Sequence, residues 1–203
     1  MGISDRKERE KGEMKKLITD AAMRMFLEDG YAKTSIRNIA ESIEYSPGTI
    51  YLYYKDKDEL LYEVQRQAFL KLVNAFKEKA TSADPLVRLA QMGKTYVSFG
   101  LENPELYDLM FIIRAPMNVD CEVHDDNGLE CFGYLLRTLE ECMASDLLIF
   151  KDPNQAALQV WSMMHGLVSL NIRCRLKIML LDESSMQLVL NNAIDEYITS
   201  IIK

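Results

Sequence analysis

The sequence predicts an all-α protein of about nine helices. Apolar residues recur at three- and four-residue spacing through most of the chain, and no run alternates polar and apolar residues with the period of a strand. Helix-start chemistry also repeats. Asp84-Pro85, Asn103-Pro104 and Asp152-Pro153 each set a capping side chain ahead of a proline, whose missing N–H costs nothing at the first helical position. Ser46-Pro47 marks a fourth start, and Asp56 with Glu59 a fifth, as a capping-box-like pair. These marks place helices near residues 11–29, 35–42, 46–53, 57–80, 85–102, 104–113, 127–144, 153–178 and 184–202. The stretch 114–126 reads as a loop, because it mixes Pro116 and Asn118 with Asp120, Glu122, Asp125 and Asp126 and lacks an apolar period.

Each element has its own warrant. In the first helix Leu17, Ile18, Ala21, Ala22, Met25 and Phe26 form an apolar stripe, and Gly30 is placed to end it in the left-handed conformation. In the second, Ile36, Ile39, Ala40 and Ile43 share a face after a Thr34 cap. The third, Ser46–Tyr53, follows after only three or four residues and is too short and too poor in aliphatics to be core; mainly Ile50 is left to anchor it. Two helices joined by so tight a turn, with Ala40 small enough for close crossing, describe a helix-turn-helix whose second member faces solvent. Farther on, Phe99, Leu106, Tyr107, Met110 and Phe111 recur near helical spacing around Asn103-Pro104. The helix after Pro153 is apolar nearly all round between Ala156 and Leu170. The last helix carries Leu188, Val189, Ala193, Ile194, Tyr197, Ile198 and Ile201. A monomer of 203 residues would struggle to hide both of these faces. A symmetric homodimer through the last two helices, as a four-helix bundle, covers them.

Composition limits the function. Lys plus Arg number 24 against 31 Asp plus Glu, a net charge of -7, which argues against indiscriminate coating of nucleic acid or anionic membrane. Residues 1–60 hold 11 basic against 12 acidic side chains and residues 61–203 hold 13 against 19, so most of the acidity sits in the C-terminal part. From Tyr45 through Lys55 there is no acid at all. A DNA phosphate can approach that face without repulsion. Gly48 lets backbone come close, Thr49 offers a hydroxyl and a methyl, and Tyr51 offers a ring edge and a phenol. Lys57, at the start of the next helix, can grip a phosphate together with backbone N–H groups, and Arg37 can add another contact.

Other classes are disfavoured. No apolar stretch follows the first charges, so a cytoplasmic protein is expected. Residues 153–172 lack charge but are interrupted by Asn154, Gln155, Gln159, Ser162, His165, Ser169 and Asn171, which fits a buried helix and no membrane span. Cys121, Cys131, Cys142 and Cys174 lack CxxC spacing and read as small buried apolar residues. Cys121, His124 and Cys131 match no zinc pattern, so neither a metal nor a cofactor is expected. GxxxxGK, HExxH, GxSxG and GxGxxG are all missing, so the chain is not expected to be an enzyme.

The stretch TSIRNIAESIEYSPGTIYLYYKDKDELL, residues 34–61, resembles the helix-turn-helix signature of the TetR family of transcriptional regulators. The preceding FLEDGYAKTSI fits as well, with Tyr31 after the helix-ending glycine. The resemblance implies that Arg37, Tyr45, Ser46, Gly48, Thr49, Tyr51, Tyr53 and Lys57 face DNA, with Pro47 among them, and that Tyr54 takes the place of a core aromatic. Pro47 stands where the family often has a small or polar residue, and Tyr53 where it often has His. WSMMHGLVSL, residues 161–170, resembles a Trp-His-Gly signature in the effector domain of one branch of the family. Residues 1–56 are thus expected to be the DNA-binding domain and 57–203 a helical ligand-binding and dimerisation domain.

The C-terminal part offers Met beside aromatic residues. Met92, Tyr96, Phe99, Met110, Phe111, Phe132, Trp161, Met164 and His165 are candidates to line a ligand pocket, since flexible apolar side chains adapt to varied guests; plain core is the alternative reading. The sequence therefore predicts a repressor that binds double-stranded operator DNA as a homodimer and leaves it when a small apolar effector binds. Control by a protein partner, or a helical-pocket enzyme, are the alternatives.

Overall fold

The charged N-terminal stretch is helical from its third residue. In the computed structural model, which describes residues 3–113 and 128–203, α1 runs Ile3–Glu28, eight residues earlier than the apolar stripe alone predicts. Charge pairing one turn apart supports the extra turns: Arg6 with Glu10, Arg9 with Glu13, and Lys16 with Asp20. Next come α2 (Ile36–Ser42), α3 (Pro47–Tyr51), α4 (Lys57–Lys79), α5 (Pro85–Glu102) and α6 (Pro104–Tyr107), the last continued by a π-helical turn Asp108–Ile112. After the undescribed residues follow α7 (Leu129–Ala144), α8 (Pro153–Ile172), a 3-10 turn Arg175–Met179 and α9 (Glu183–Ser200). Among the described residues there is no strand, only an isolated bridge between Leu148 and Ile202. The expected loop at 114–126 lies outside the described residues.

The chain forms two contact units. Of the described residues, those within Met1–Phe69 and Glu105–Asn127 make the first, and those within Leu70–Pro104 and Gly128–Lys203 the second. The break between the two contact units falls within α4, after Phe69.

In the first unit Ile18, Ala22, Phe26, Ile39, Ala40, Ile50, Leu60, Leu61 and Val64 form a fully buried core, joined by Leu109 from the π turn. The buried Gln65 amide donates to the Leu109 carbonyl at 2.7 Å, and Phe111 stacks edge-on against Phe69. Met110 and Phe111, expected beside the other pocket candidates, thus belong to this unit.

In the second unit α5 is central and packs against α7, α8 and α9. Gly93 permits that crossing: a Cβ there would lie 3.2 Å from both Met164 Sδ and Ile194 Cγ2. Asp84 and Asp152 cap α5 and α8 as the sequence predicts, accepting from Leu86 and Val87 and from Gln155. Asn103 differs: its amide donates back to the Phe99 carbonyl and so closes α5 instead of opening α6. The helix expected over 153–178 stops at Ile172, because Cys174 turns left-handed, and Leu180 does so again after the 3-10 turn.

Candidate nucleic-acid interface

The helix-turn-helix is assembled by local chemistry. Gly30 takes φ +84°, as its position at the end of α1 predicts. Thr34 is not the cap of α2; it is buried and donates to the Gly30 and Met25 carbonyls, fixing the turn. Ser35 caps instead, in a reciprocal box with Asn38. Ser46 caps α3: its Oγ accepts from the Thr49 N–H at 3.3 Å. At α4 the Asp56 carboxylate accepts from the Glu59 N–H, while the Glu59 carboxylate reaches one residue past the expected partner, to the Lys55 N–H.

This frame sets α3 on the surface. Ile50 is its one fully buried side chain. Tyr45, Ser46, Gly48 and Tyr51 are exposed, Pro47 and Thr49 half-buried. Tyr53 is half-buried against the core, so it presents less to solvent than Tyr51. Arg37 is exposed on α2 and its Nε pairs with Glu41 at 2.9 Å, which raises its pKa further. Tyr54 is buried, its hydroxyl 2.8 Å from Thr19 Oγ1, as a core aromatic should be.

Lys57 makes internal contacts that the sequence does not announce. Its ammonium donates to the Tyr31 and Thr34 carbonyls, both at 3.0 Å, and lies 4.0 Å from the centre of the Tyr31 ring. Tyr31 in turn donates to the Asp58 carboxylate, and burial together with that carboxylate raises its pKa. At most one Lys57 hydrogen is left for a phosphate. The residue braces the α1–α2 turn onto α4. Lys57→Met should therefore lower unfolding free energy by about 2 kcal/mol, as a charged donor is lost from two carbonyls. Urea denaturation reads this, and an unchanged midpoint would remove the brace.

In the second unit seven pocket candidates fall together by unit, with Met92, Tyr96 and Met164 buried and Phe99, Phe132 and His165 half-buried. Trp161 is partly exposed; its indole donates to Tyr96 Oη at 3.2 Å, which lies 3.4 Å from His165 Nδ1. Burial lowers the His165 pKa by disfavouring the charged imidazolium. Of the cysteines, Cys142 is buried and Cys131 half-buried; desolvation pushes their thiols up to about 11 and about 12. Cys174 is exposed, against expectation. Cys121 and His124 lie outside the described residues. No helix among the described residues is long and apolar enough to cross a membrane.

Comparison with known proteins agrees with this geometry. A family profile described as "Bacterial regulatory proteins, tetR family" matches residues 18–64, and one described as "Tetracyclin repressor-like, C-terminal domain" matches residues 89–192. The fatty acid metabolism regulator protein of Bacillus subtilis is 36% identical over 73 residues, which are 34% of this chain and 38% of that relative. The match thus spans less than half of that relative's length. In fold, a TetR family transcription regulator from Marinobacter aquaeolei VT8 superposes with a TM-score of 0.68 at 21% identity, covering 98% of this chain and 99% of that one. The transcriptional regulator FadR from Bacillus subtilis, solved in complex with stearoyl-CoA, gives 0.69 at 19%, covering 91% and 98%.

Proposed function

The chain belongs to the TetR family of DNA-binding transcriptional regulators, and from that premise we propose that it is a ligand-responsive repressor, homodimeric on a palindromic operator. The observation that carries this reading is α3: a five-residue helix held by Ile50 alone, with an acid-free outer face. Residues 1–56 serve as the DNA-binding domain and 57–203 as the effector and dimerisation domain. The recognition face comprises Arg37 and the run Tyr45, Ser46, Pro47, Gly48, Thr49, Tyr51 and Tyr53, with one hydrogen of Lys57 left for phosphate.

The effector is small and mainly apolar. Met92, Phe99, Phe132 and Met164 offer it adaptable apolar surface, and the Trp161–Tyr96–His165 chain offers one polar end. A stearoyl-CoA complex in a protein of this fold makes a long acyl chain the first effector to test. Effector binding displaces the C-terminal half of α4, and that one continuous helix carries the shift to Lys57 and Asp58 beside the α1–α2 turn. The two recognition helices of the dimer then no longer match major grooves about 34–36 Å apart. The effector must bind the DNA-incompetent arrangement more tightly to do this, and coupling of about 1–3 kcal/mol suffices for a useful switch. The protein works in the cytoplasm, where its operator is.

Selection from random duplexes should return an inverted repeat, and stearoyl-CoA or stearate should weaken its binding. Thr49→Ala and Tyr51→Ala should each change the preferred base at one position per half-site, by about 1–3 kcal/mol. A selected sequence unchanged in both variants would remove these side chains from base readout.

A further inference from the structure

Charge on α1 is sorted by face. Arg6, Arg9 and Lys16 each pair with an acid one turn farther along, at Glu10, Glu13 and Asp20. Lys7, Lys11 and Lys15 repeat at the same four-residue step and form no ion pair among the described residues. They continue the helix face of Ile18 and Ala22, which farther along carries the core. Residues 4–13 are all exposed, so about 15 Å of helix extends outward with this face uncovered.

Lys15 shows which side the stripe is on. Its Nζ lies 5.6 Å from the centre of the Tyr54 ring, in the turn directly after α3. The stripe thus lies on the side of the bundle that carries the turn between α3 and α4. Like charges one turn apart on a helix repel. A partner with a row of negative charges relieves that repulsion, and the row stands out in a chain whose net charge is -7.

We propose that Lys7, Lys11 and Lys15 form a second, sequence-independent DNA contact, laid along the phosphates of the duplex flanking the operator. This rests on the operator-binding reading above. The contact adds affinity and salt dependence but no base preference, because lysine reads phosphate as a point charge.

The test is the variant Lys7→Gln/Lys11→Gln, which keeps helix-forming residues and leaves Lys15 on Tyr54. Operator affinity is measured across salt on two duplexes, one with about ten base pairs on each flank and one cut flush at the operator ends. On the flanked duplex the log–log salt slope should fall by about 2 per bound subunit, and the low-salt Kd should rise roughly 10- to 100-fold. On the flush duplex variant and unsubstituted protein should agree. Arg6→Gln/Arg9→Gln removes the same charge from the paired face and should leave the slope unchanged. A salt slope on the flanked duplex equal to that of the unsubstituted protein, with the operator still bound, would overturn the contact alone. Failure of the unsubstituted protein to bind any duplex would overturn the operator reading with it.

Discussion

Ile50→Ala abolishes tight operator binding while the rest of the molecule stays folded. Ile50 is completely buried among Ile36, Ile39, Ala40 and Tyr54, and it is the single buried side chain of α3. Truncating it removes three carbons and leaves a cavity, at a cost of about 2–5 kcal/mol. Elsewhere in the core that loss would be shared among many contacts. Here Ile50 is the one buried side chain of a helix that makes barely one turn, and the Ser46 cap fixes only its start. The loss therefore appears as release of α3 more than as global unfolding. A domain has about 5–15 kcal/mol of stability to lose before it unfolds. Operator affinity should fall at least 100-fold, with far-UV circular dichroism nearly unchanged. Ile50→Val, which removes one methyl group and costs about 1 kcal/mol, should keep binding within a few-fold. If Ile50→Ala binds like Ile50→Val, α3 is held by something other than this side chain.

The same helix shows why so much of the candidate site's local structure was legible in the sequence. Its start, its anchor and its exposed face depend on residues within a few positions of one another, so Ser46, Ile50 and Tyr51 could be assigned from spacing alone. Gly30 and the Asp84 and Asp152 caps are local in the same sense, and the structure has each where the spacing puts it. The misses are of two kinds. In the first, the signal was of another type. Residues 3–10 are helical through ion pairs, which an apolar period does not register, and the stop at Ile172 is made by a left-handed Cys174 that no glycine or proline announces.

In the second kind the partner is remote. The carbonyls that hold Lys57 lie 26 and 23 positions upstream, and the carbonyl that holds Gln65 lies 44 positions downstream in a π turn. A phosphate contact and an internal brace require the same residue at the same place, so sequence alone could not separate them for Lys57. Met110 and Phe111 share the helical period of the pocket candidates, yet they belong to the first unit, where Phe111 meets Phe69.

Leu158→Arg/Leu188→Arg should convert the protein to a folded monomer that no longer holds its full operator. Leu158 on α8 is 59% exposed and Leu188 on α9 is 61% exposed, so neither contributes much to the core of its own chain. Trp161 and Leu170 are exposed on α8 too, and Ile178 through Leu181 carry exposed apolar surface across the connection to α9. A twofold interface through these two helices would cover the exposed Leu158 and Leu188, and in such a dimer each substitution enters the interface twice. Four unpaired guanidinium groups would then have to be desolvated, a cost of several kcal/mol. Light scattering at micromolar concentration should give 23.4 kDa for the variant and twice that mass for the unsubstituted chain. Helix content should not change. Linking two half-site readers raises affinity by about 10²–10⁴ through effective concentration alone. The full operator should therefore be bound at least 100-fold more weakly, while an isolated half-site is bound as before. A variant that remains dimeric would place the interface elsewhere. A loss of half-site binding would mean that the two arginines disturb the chain itself, since a monomer with an intact α3 still reads one groove.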